Sequence, residues 1–393
     1  MERIKLMLGD NMLSLRELPD NSVDSVVTDP PYGLSFMNKK WDYDVPSVEF
    51  WKEVYRVLKP GGHILSFGGT RTYHRMAVNI EDAGFEIRDQ IQWIYGSGFP
   101  KSHNIGKKLN QYEGWGTQLK PANEPICVAR KPLSEKTIAE NVLKWGTGGI
   151  NIDGCRIGFI NETDKQSAKP QGKITTGTKE NVRFRYTDDT TRIELENKQN
   201  EQGRFPANVI LDEYAGELLD EQSGERKVGK GSRSGGFQKN YINGEVINRV
   251  VNEGYNDKGG ASRFFYIPKV SKKEKNTGLD DFEDKLQPAA EFRPNHMVKA
   301  LDGEDGNPFG RYSPTKNIHP TVKPIKLMEY LIRLVTPPGG TTLDPFMGSG
   351  SSGCSAINEG CHFIGMEMDK EYFNIAKARI NYYKYIKDGK ETL

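Results

Sequence analysis

The sequence predicts an α/β fold: a mostly parallel sheet with helices on both faces. Three observations predict it. Short apolar runs alternate with stretches of helical spacing at both ends of the 393-residue chain. Each run closes on a turn signal, such as "GDN" after "IKLML". The middle, roughly 133–317, is rich in Gly, Asn, Lys, Glu and Thr and has few apolar runs. The simplest architecture is therefore one α/β domain assembled from both ends, with a large insert between them.

Taken in order, "IKLML" and "VDSVV" are the first two strands, the second leading to Asp29. Residues 47–59 predict a helix: Ser47 caps it, and Val48, Trp51, Val54, Tyr55 and Leu58 recur at helical spacing. "KPGG" ends that helix and "HILSFGG" is a third strand. Thr70 to Ala83 predicts a helix closed by Gly84, followed by strands "IRDQIQWIY" and "EPICVARKP". In the insert only "RFPANVILD" and "SRFFYIPKV" have the pattern of buried strands, and 160–203 is polar and weakly patterned. From His319 the alternation returns. Pro324 suits the first turn of a helix whose face carries Ile325, Met328, Ile332 and Val335. "PPGG" stops that helix. Strand "TTLDPF", helix Ser351–Asn358 and strand "HFIGMEM" follow, then a last helix with Phe373, Ala376, Ile380 and Tyr383 on one side.

Composition narrows the classes. Lys+Arg 55 against Asp+Glu 53 leaves a formal charge of +2, so a nucleic-acid partner must be argued from where the charges lie. Cys127, Cys155, Cys354 and Cys361 form no C-x-x-C pair, which speaks against a zinc knuckle or redox motif and fits a reducing cytoplasm. No histidine sits in a metal or triad arrangement, so no metal is expected; the histidines read as structural, with His319 left open. The N-terminus is too polar for a signal peptide, and no apolar run approaches the ~18 residues that span a membrane.

Two short motifs carry the chemistry. "DPFMGSGSSG" follows a strand and opens a helix, and Gly348, Gly350 and Gly353 satisfy G-x-G-x-x-G. Glu367 follows at the interval of ~20 residues expected of a ribose-binding carboxylate. The same pattern is compatible with a plain tight turn. A pyrophosphate ligand would meet Asp344: like charges ~4 Å apart cost roughly 4 kcal/mol at an effective dielectric of 20. S-adenosylmethionine (AdoMet) carries a sulfonium and an ammonium instead, which suit Asp344 and Glu367 better.

The second motif is "DPPY". Asp29 ends a strand at the carboxyl edge of the sheet, where open α/β sheets bind ligands. Pro30 and Pro31 fix φ and remove two N–H donors, so the turn offers carbonyl acceptors; Tyr32 offers a flat face. Carboxylate, carbonyl and ring together suit the exocyclic amine of a planar base, whose N–H bonds two acceptors can hold while its lone pair turns toward a methyl carbon. A base in a duplex must first be flipped out, at a few kcal/mol. Stacking returns ~1–3 kcal/mol and a charged hydrogen bond ~1.5–3 kcal/mol. An ordinary proline-rich turn is the bland alternative.

Together these residues resemble the amino-group DNA methyltransferases of the beta class, bacterial and phage type. "DPPY" resembles their catalytic motif for adenine N6 or cytosine N4, "DPFMGSG" their F-x-G-x-G cofactor motif, and "HPTVKP" the segment that precedes it. The catalytic motif comes first and the cofactor motif last, the permuted order of that class. The resemblance covers 1–132 and 318–393. It implies the AdoMet-dependent methyltransferase fold, a seven-stranded, mostly parallel sheet with one antiparallel strand near an edge. It implies that Asp29 and the Pro30 carbonyl hold the target amine and Tyr32 stacks on the base. Phe346, Gly348 and Gly350 would shape the cofactor pocket, Asp344 would meet the methionine moiety, Glu367 the ribose and Asp10 the adenine. Thr321 and Lys323 would approach the methionine carboxylate.

By the same resemblance, 1–132 is the catalytic part of the methyltransferase domain, 318–393 its cofactor-binding part, and 133–317 the target-recognition insert. Lys227, Lys230, Arg233, Lys239, Lys269, Lys272 and Lys273 are the candidate contacts to double-stranded DNA, and the loop "GLSFMNKKWDYD" would close over the target. The expected activity is site-specific methylation of adenine N6 in duplex DNA, with cytosine N4 the nearest alternative. A nicotinamide-dependent oxidoreductase and a non-catalytic DNA-binding protein are more remote. A homodimer and a cognate restriction endonuclease remain open as partners, in the cytoplasm of a bacterial or phage-infected cell.

Overall fold

The computed structural model describes residues 3–34, 43–96, 98, 102–167, 203–224, 226–227, 241–242, 245–246, 258–271, 273–285 and 315–389. Eight strands make one sheet: β1 (Ile4–Leu8), β2 (Val23–Thr28), β3 (Leu58–Phe67), β4 (Glu86–Ile94), β5 (Asn123–Arg130), β6 (Val209–Leu211), β7 (Thr341–Asp344) and β8 (His362–Glu367). Their order is β1-β8-β7-β2-β3-β5-β4-β6. Only β5 is antiparallel to its neighbours, β3 and β4; the other pairings are parallel.

The nine described helices are α1 (Asn11–Arg16), α2 (Val48–Val57), α3 (Tyr73–Asp82), α4 (Ile138–Trp145), α5 (Glu162–Ser167), α6 (Glu213–Ser223), α7 (Ile325–Val335), α8 (Ser351–Glu359) and α9 (Lys370–Lys387). Side chains alternate across the strands, so each strand feeds two cores. Val26, Ile64, Cys127, Leu343 and Ile364 face Leu15, Trp51, Val54 and Ile80 of α1, α2 and α3. Their chain neighbours Val27, Leu65, Ile126 and Phe363 face α7, α8 and α9 through Leu331, Ile357 and Ile380. Each fully buried aliphatic or aromatic side chain contributes roughly 1.5–3 kcal/mol.

Three expectations are corrected. The sheet has eight strands rather than seven, because Val209–Leu211 of "RFPANVILD" adds an edge beside β4. "SRFFYIPKV" is no strand: Ala261–Phe264 form a 3₁₀ turn, and Tyr266 makes a single bridge to Ile210. Its ring finds burial another way, stacked on Tyr330 at 4.0 Å between centroids. "KPGG" does end α2, but the chain runs straight on as strand. Leu58 pairs with Val23 and, past an irregularity in register, His63 pairs with Ser25. The backbone at Gly61 and Gly62 is meanwhile satisfied by Lys131.

The described chain divides into two compact units. The first holds the sheet: 1–155, 207–216 and 266–393. The second comprises 156–206 and 217–265. In it Asp164, fully buried, pairs with Arg204 and Arg263, and the Arg204 guanidinium lies 4.8 Å from the Phe159 ring and 4.9 Å from that of Phe264. A two-residue antiparallel ladder joins 226–227 to 258–259. Among the described residues no helix is long and apolar enough to cross a membrane.

Helix α8 lies directly against β8 and α9. A Cβ added at Gly353 would sit 2.4 Å from Ile380 Cδ1 and 2.8 Å from Phe363 Cε1. Gly353→Val is expected to lower stability by about 1–3 kcal/mol through overpacking, read as a fall in the urea midpoint at unchanged slope.

Candidate active site

The parallel strands end on one edge of the sheet, and that edge carries the motif residues. β2 and β7 are neighbours, with Val26 opposite Leu343. Just beyond, Thr28 Oγ1 donates to Asp344 Oδ1 at 2.7 Å. β1 and β8 are neighbours, with Leu8 opposite Glu367, and the Gly9 N–H donates to the Glu367 carbonyl at 2.9 Å. Asp344 and Glu367 therefore end, and Asp29 and Asp10 follow, four strands of one sheet, at the carboxyl edge where such sheets bind ligands.

Around Asp29 the structure holds an ion cluster. Lys323 Nζ donates to Asp29 Oδ2 at 2.6 Å and lies 3.2 Å from Glu124 Oε2 and 3.4 Å from the Tyr32 hydroxyl oxygen. A phenol has one proton. Tyr32 donates it to Asp29 Oδ1 at 2.7 Å, with Glu124 Oε2 at 3.0 Å as the second acceptor in reach. Burial disfavours the charge on Lys323, but the Asp29 and Glu124 carboxylates outweigh it and hold its pKa above the ordinary lysine value. Burial and the same two carboxylates push the Tyr32 phenol well above its usual value. The turn is also fastened from behind: Thr72 Oγ1, at the start of α3, donates to the Tyr32 carbonyl at 2.6 Å.

Glu124 was not singled out from the sequence. It reaches the site because β5 is reversed, so its amino-terminal end lies beside the carboxyl ends of β3 and β4. The available signal was the acid in "NEPICVAR", at the start of an expected strand. The connection 95–122 leaves and re-enters the sheet at this same edge. It exposes Lys107, Lys108, Tyr112 and Trp115, the last two rings 5.7 Å apart.

The glycine turn is tied to β8. The Gly348 N–H donates to Glu367 Oε2 at 3.0 Å, and that of Asp369 to Oε1 at 2.7 Å. Gly348 and Gly350 have φ of 52° and 81°, left-handed values that glycine adopts without penalty. Burial pushes the Glu367 carboxyl up to about 7, against its two N–H donors. Asp344 is buried and receives Thr28, Ser352 and the Phe346 N–H; burial and the Asp29 charge still raise it to about 6.

The remaining predicted residues are placed as follows. The Asp10 carboxylate caps α1, accepting from the N–H groups of Met12 and Leu13. The Phe346 ring packs on Phe50 at 5.0 Å, in the core of one sheet face, whereas Tyr32 packs into the core of the other. Thr321 is exposed, and its N–H donates to His319 Nδ1 at 3.4 Å. His319 lies edge-on to Tyr372 and against Gly348, and burial with the nearby cations of Lys323, Arg379 and Lys275 pushes it down to about 3, so it is neutral. Lys269 and Lys273 are exposed. Lys227 lies in the two-residue ladder of the second unit. Lys230, Arg233, Lys239, Lys272 and the loop segment 35–42 lie outside the described residues. No group of three or more metal-ligating side chains occurs among the described residues.

Fold and edge together define an α/β protein with a D-P-P-Y turn and a glycine turn on one rim. The chain matches the family model described as DNA methylase, the N6/N4 methyltransferases, over residues 23–378, and it belongs to that family. As a member it has the methyltransferase fold the resemblance implied, with the added eighth strand. It is 24% identical over 195 residues to Type II methyltransferase M.HindIII of Haemophilus influenzae, covering 36% of this chain and 63% of that protein. It is 47% identical over 90 residues to Type II methyltransferase M2.DpnII of Streptococcus pneumoniae, covering 21% and 34%. The matches thus span less than two thirds of these relatives' length. Among solved structures, the cytosine-N4-specific PvuII DNA methyltransferase matches 98% of this chain and 95% of its own at 15% identity and a TM-score of 0.46. The M1.HpyAVI–SAM complex matches 96% and 99% at 18% identity and a TM-score of 0.42.

The raised carboxyl of Glu367 sets a pH dependence. Between its ordinary 4.5 and about 7 the folded chain keeps a proton that the unfolded chain has released. That stabilising contribution is complete below the unfolded value and is lost as pH rises through the folded one. Glu367→Gln removes it. Relative to the parent, the variant is expected to gain stability between about pH 5 and about pH 8, measured by urea unfolding at both.

Proposed function

We propose that the protein is a site-specific methyltransferase that moves the methyl group of AdoMet to the exocyclic N6 of adenine in duplex DNA. The observation that carries the reading is that the D-P-P-Y turn and the glycine turn follow adjacent strands, joined by the 2.7 Å bond from Thr28 to Asp344. In this reading Asp29 and the Pro30 carbonyl accept the two N–H bonds of the flipped base and turn the nitrogen lone pair out of the ring plane. Tyr32, its hydroxyl anchored, packs against the base. Positive charge then grows on the nitrogen opposite Asp29, which is where a fixed carboxylate lowers the barrier.

The residues at the rim fit the cofactor. Glu367 has carboxylate lone pairs for two ribose hydroxyls beyond the bonds it accepts from Gly348 and Asp369. The glycine turn leaves its backbone open to close approach, and Asp10, Asp344 and Glu367 suit a ligand bearing cations. Bound AdoMet would supply an electrophilic methyl carbon and leave as a neutral thioether, and the proton that the methylated nitrogen must lose would pass to water. Asp10 would lie near its adenine, and Phe346, Gly348 and Gly350 would wall the pocket. Thr321 would lie toward its carboxylate, whereas Lys323, expected there from the sequence, is committed to Asp29 and Glu124 instead. Residues 133–317 would recognise the target, with Lys269 and Lys273 on phosphate and the 95–122 connection, through Lys107 and Lys108, beside them.

The experiment is direct. Unmethylated DNA incubated with the protein and labelled AdoMet is digested to nucleosides. The label is expected in N6-methyldeoxyadenosine; label in N4-methyldeoxycytidine would move the target to cytosine, and no transfer at all would overturn the reading. Asp29→Ala is expected to lower single-turnover transfer by about 10²–10³-fold while AdoMet affinity stays within several-fold, by calorimetry. Lys269→Ala with Lys273→Ala is expected to flatten the plot of log binding constant against log salt by up to ~1 per lost phosphate contact.

A further inference from the structure

We propose that Glu124 is a positioning residue for methyl transfer: it takes over the Lys323 ammonium and the Tyr32 hydroxyl when Asp29 turns to the target amine. The inference rests on the methyltransferase reading above and deepens it.

The geometry sets the problem. Both oxygens of Asp29 are occupied by donors of the chain itself, Oδ1 by the Tyr32 hydroxyl at 2.7 Å and Oδ2 by Lys323 at 2.6 Å. An incoming amine needs one of those places. Lys323 is 8% exposed, so its ammonium cannot simply be handed to water. Left unpaired, a buried cation is strongly unfavourable, and the lysine would stay on Asp29.

Glu124 removes that obstacle. One of its oxygens, Oε2, already lies 3.2 Å from Lys323 Nζ and 3.0 Å from the Tyr32 hydroxyl oxygen. Both donors can shift to it without leaving the cluster. Its backbone is held in the sheet, opposite Trp93 of β4, so the second carboxylate stays in place while Asp29 changes partners. The charge count favours transfer as well. Two carboxylates and one ammonium leave the cluster with one net negative charge, opposite a nitrogen that becomes cationic as the N–C bond forms. With Glu124 neutral, the same nitrogen would face a neutral cluster whose lysine is held more tightly by Asp29.

The test compares Glu124→Gln, which keeps shape and loses charge, with Glu124→Asp, which keeps charge and loses length. Single-turnover transfer to unmethylated DNA is measured alongside AdoMet affinity and thermal unfolding. Glu124→Gln is expected to lower the transfer rate roughly 10–100-fold with AdoMet affinity within ~3-fold, and Glu124→Asp to recover a substantial part of the rate. In a Lys323→Met background, where there is no ammonium to take over, the cost of Glu124→Gln is expected to shrink to within ~3-fold. A packing role predicts the opposite order. If the Gln variant is as active as the Asp variant or more so, or if all losses track unfolding temperature, the assignment to Glu124 is overturned while the parent protein still transfers methyl groups. Absence of transfer by the parent itself would overturn the methyltransferase reading, and this inference with it.

Discussion

Lys323 sits at the carboxyl edge of the sheet, nearly out of contact with water, and its charge must be compensated there. A buried ammonium is tolerated only with anionic partners in good geometry. Asp29 and Glu124 supply them, and in return the lysine lets two carboxylates share a half-buried site. Much of the rim follows. Asp29 must follow β2, Glu124 must open a strand that runs the other way, and the segment before α7 must bring Lys323 between them. The Tyr32 hydroxyl is fixed by the same pair of acids, so its ring orientation depends on the balance of charge around Lys323.

The other half of the rim is organised by hydrogen bonds to carboxylates rather than by an ion pair. Asp344 gathers donors from β2, from the turn after β7 and from α8, which pins the start of the glycine turn to the strand that carries Asp29. Glu367 does the same between that turn and β8. Both acids are raised by burial, to about 6 and about 7, so each sits near the pH at which its charge changes. Residues that the proposed function assigns to ligand binding thus also hold the edge in shape. Asp10, which caps α1, is a third instance.

Strands and helices with an unambiguous period were legible in the sequence. β1, β2, β4, β5, β7 and β8 and the capped helix α2 lie where apolar runs and Ser47 put them. "SRFFYIPKV" misled because an aromatic, alternating run can satisfy its burial by stacking, as Tyr266 does on Tyr330, without joining a ladder. "KPGG" punctuated the helix as expected, yet proline and glycine could still lie in a strand where an irregular register passes them. In the site, Asp29, Tyr32, Asp344, Gly348, Gly350 and Glu367 stood out because each sits at a strand end or in a turn with a recognisable spacing. Glu124 had no such spacing, being one acid at the start of a strand.

The amino-acid order alone determined the local pieces: where the chain extends, where it turns, and which short motifs carry acceptors, rings and glycines. It did so because these properties depend on period and on residues within a few positions of one another. Which pieces face each other was decided only by the assembled sheet. Lys323 lies 294 positions from Asp29. No local pattern encodes that 2.6 Å contact, nor Glu124 beside it; both arise from strand order and from the single reversed strand.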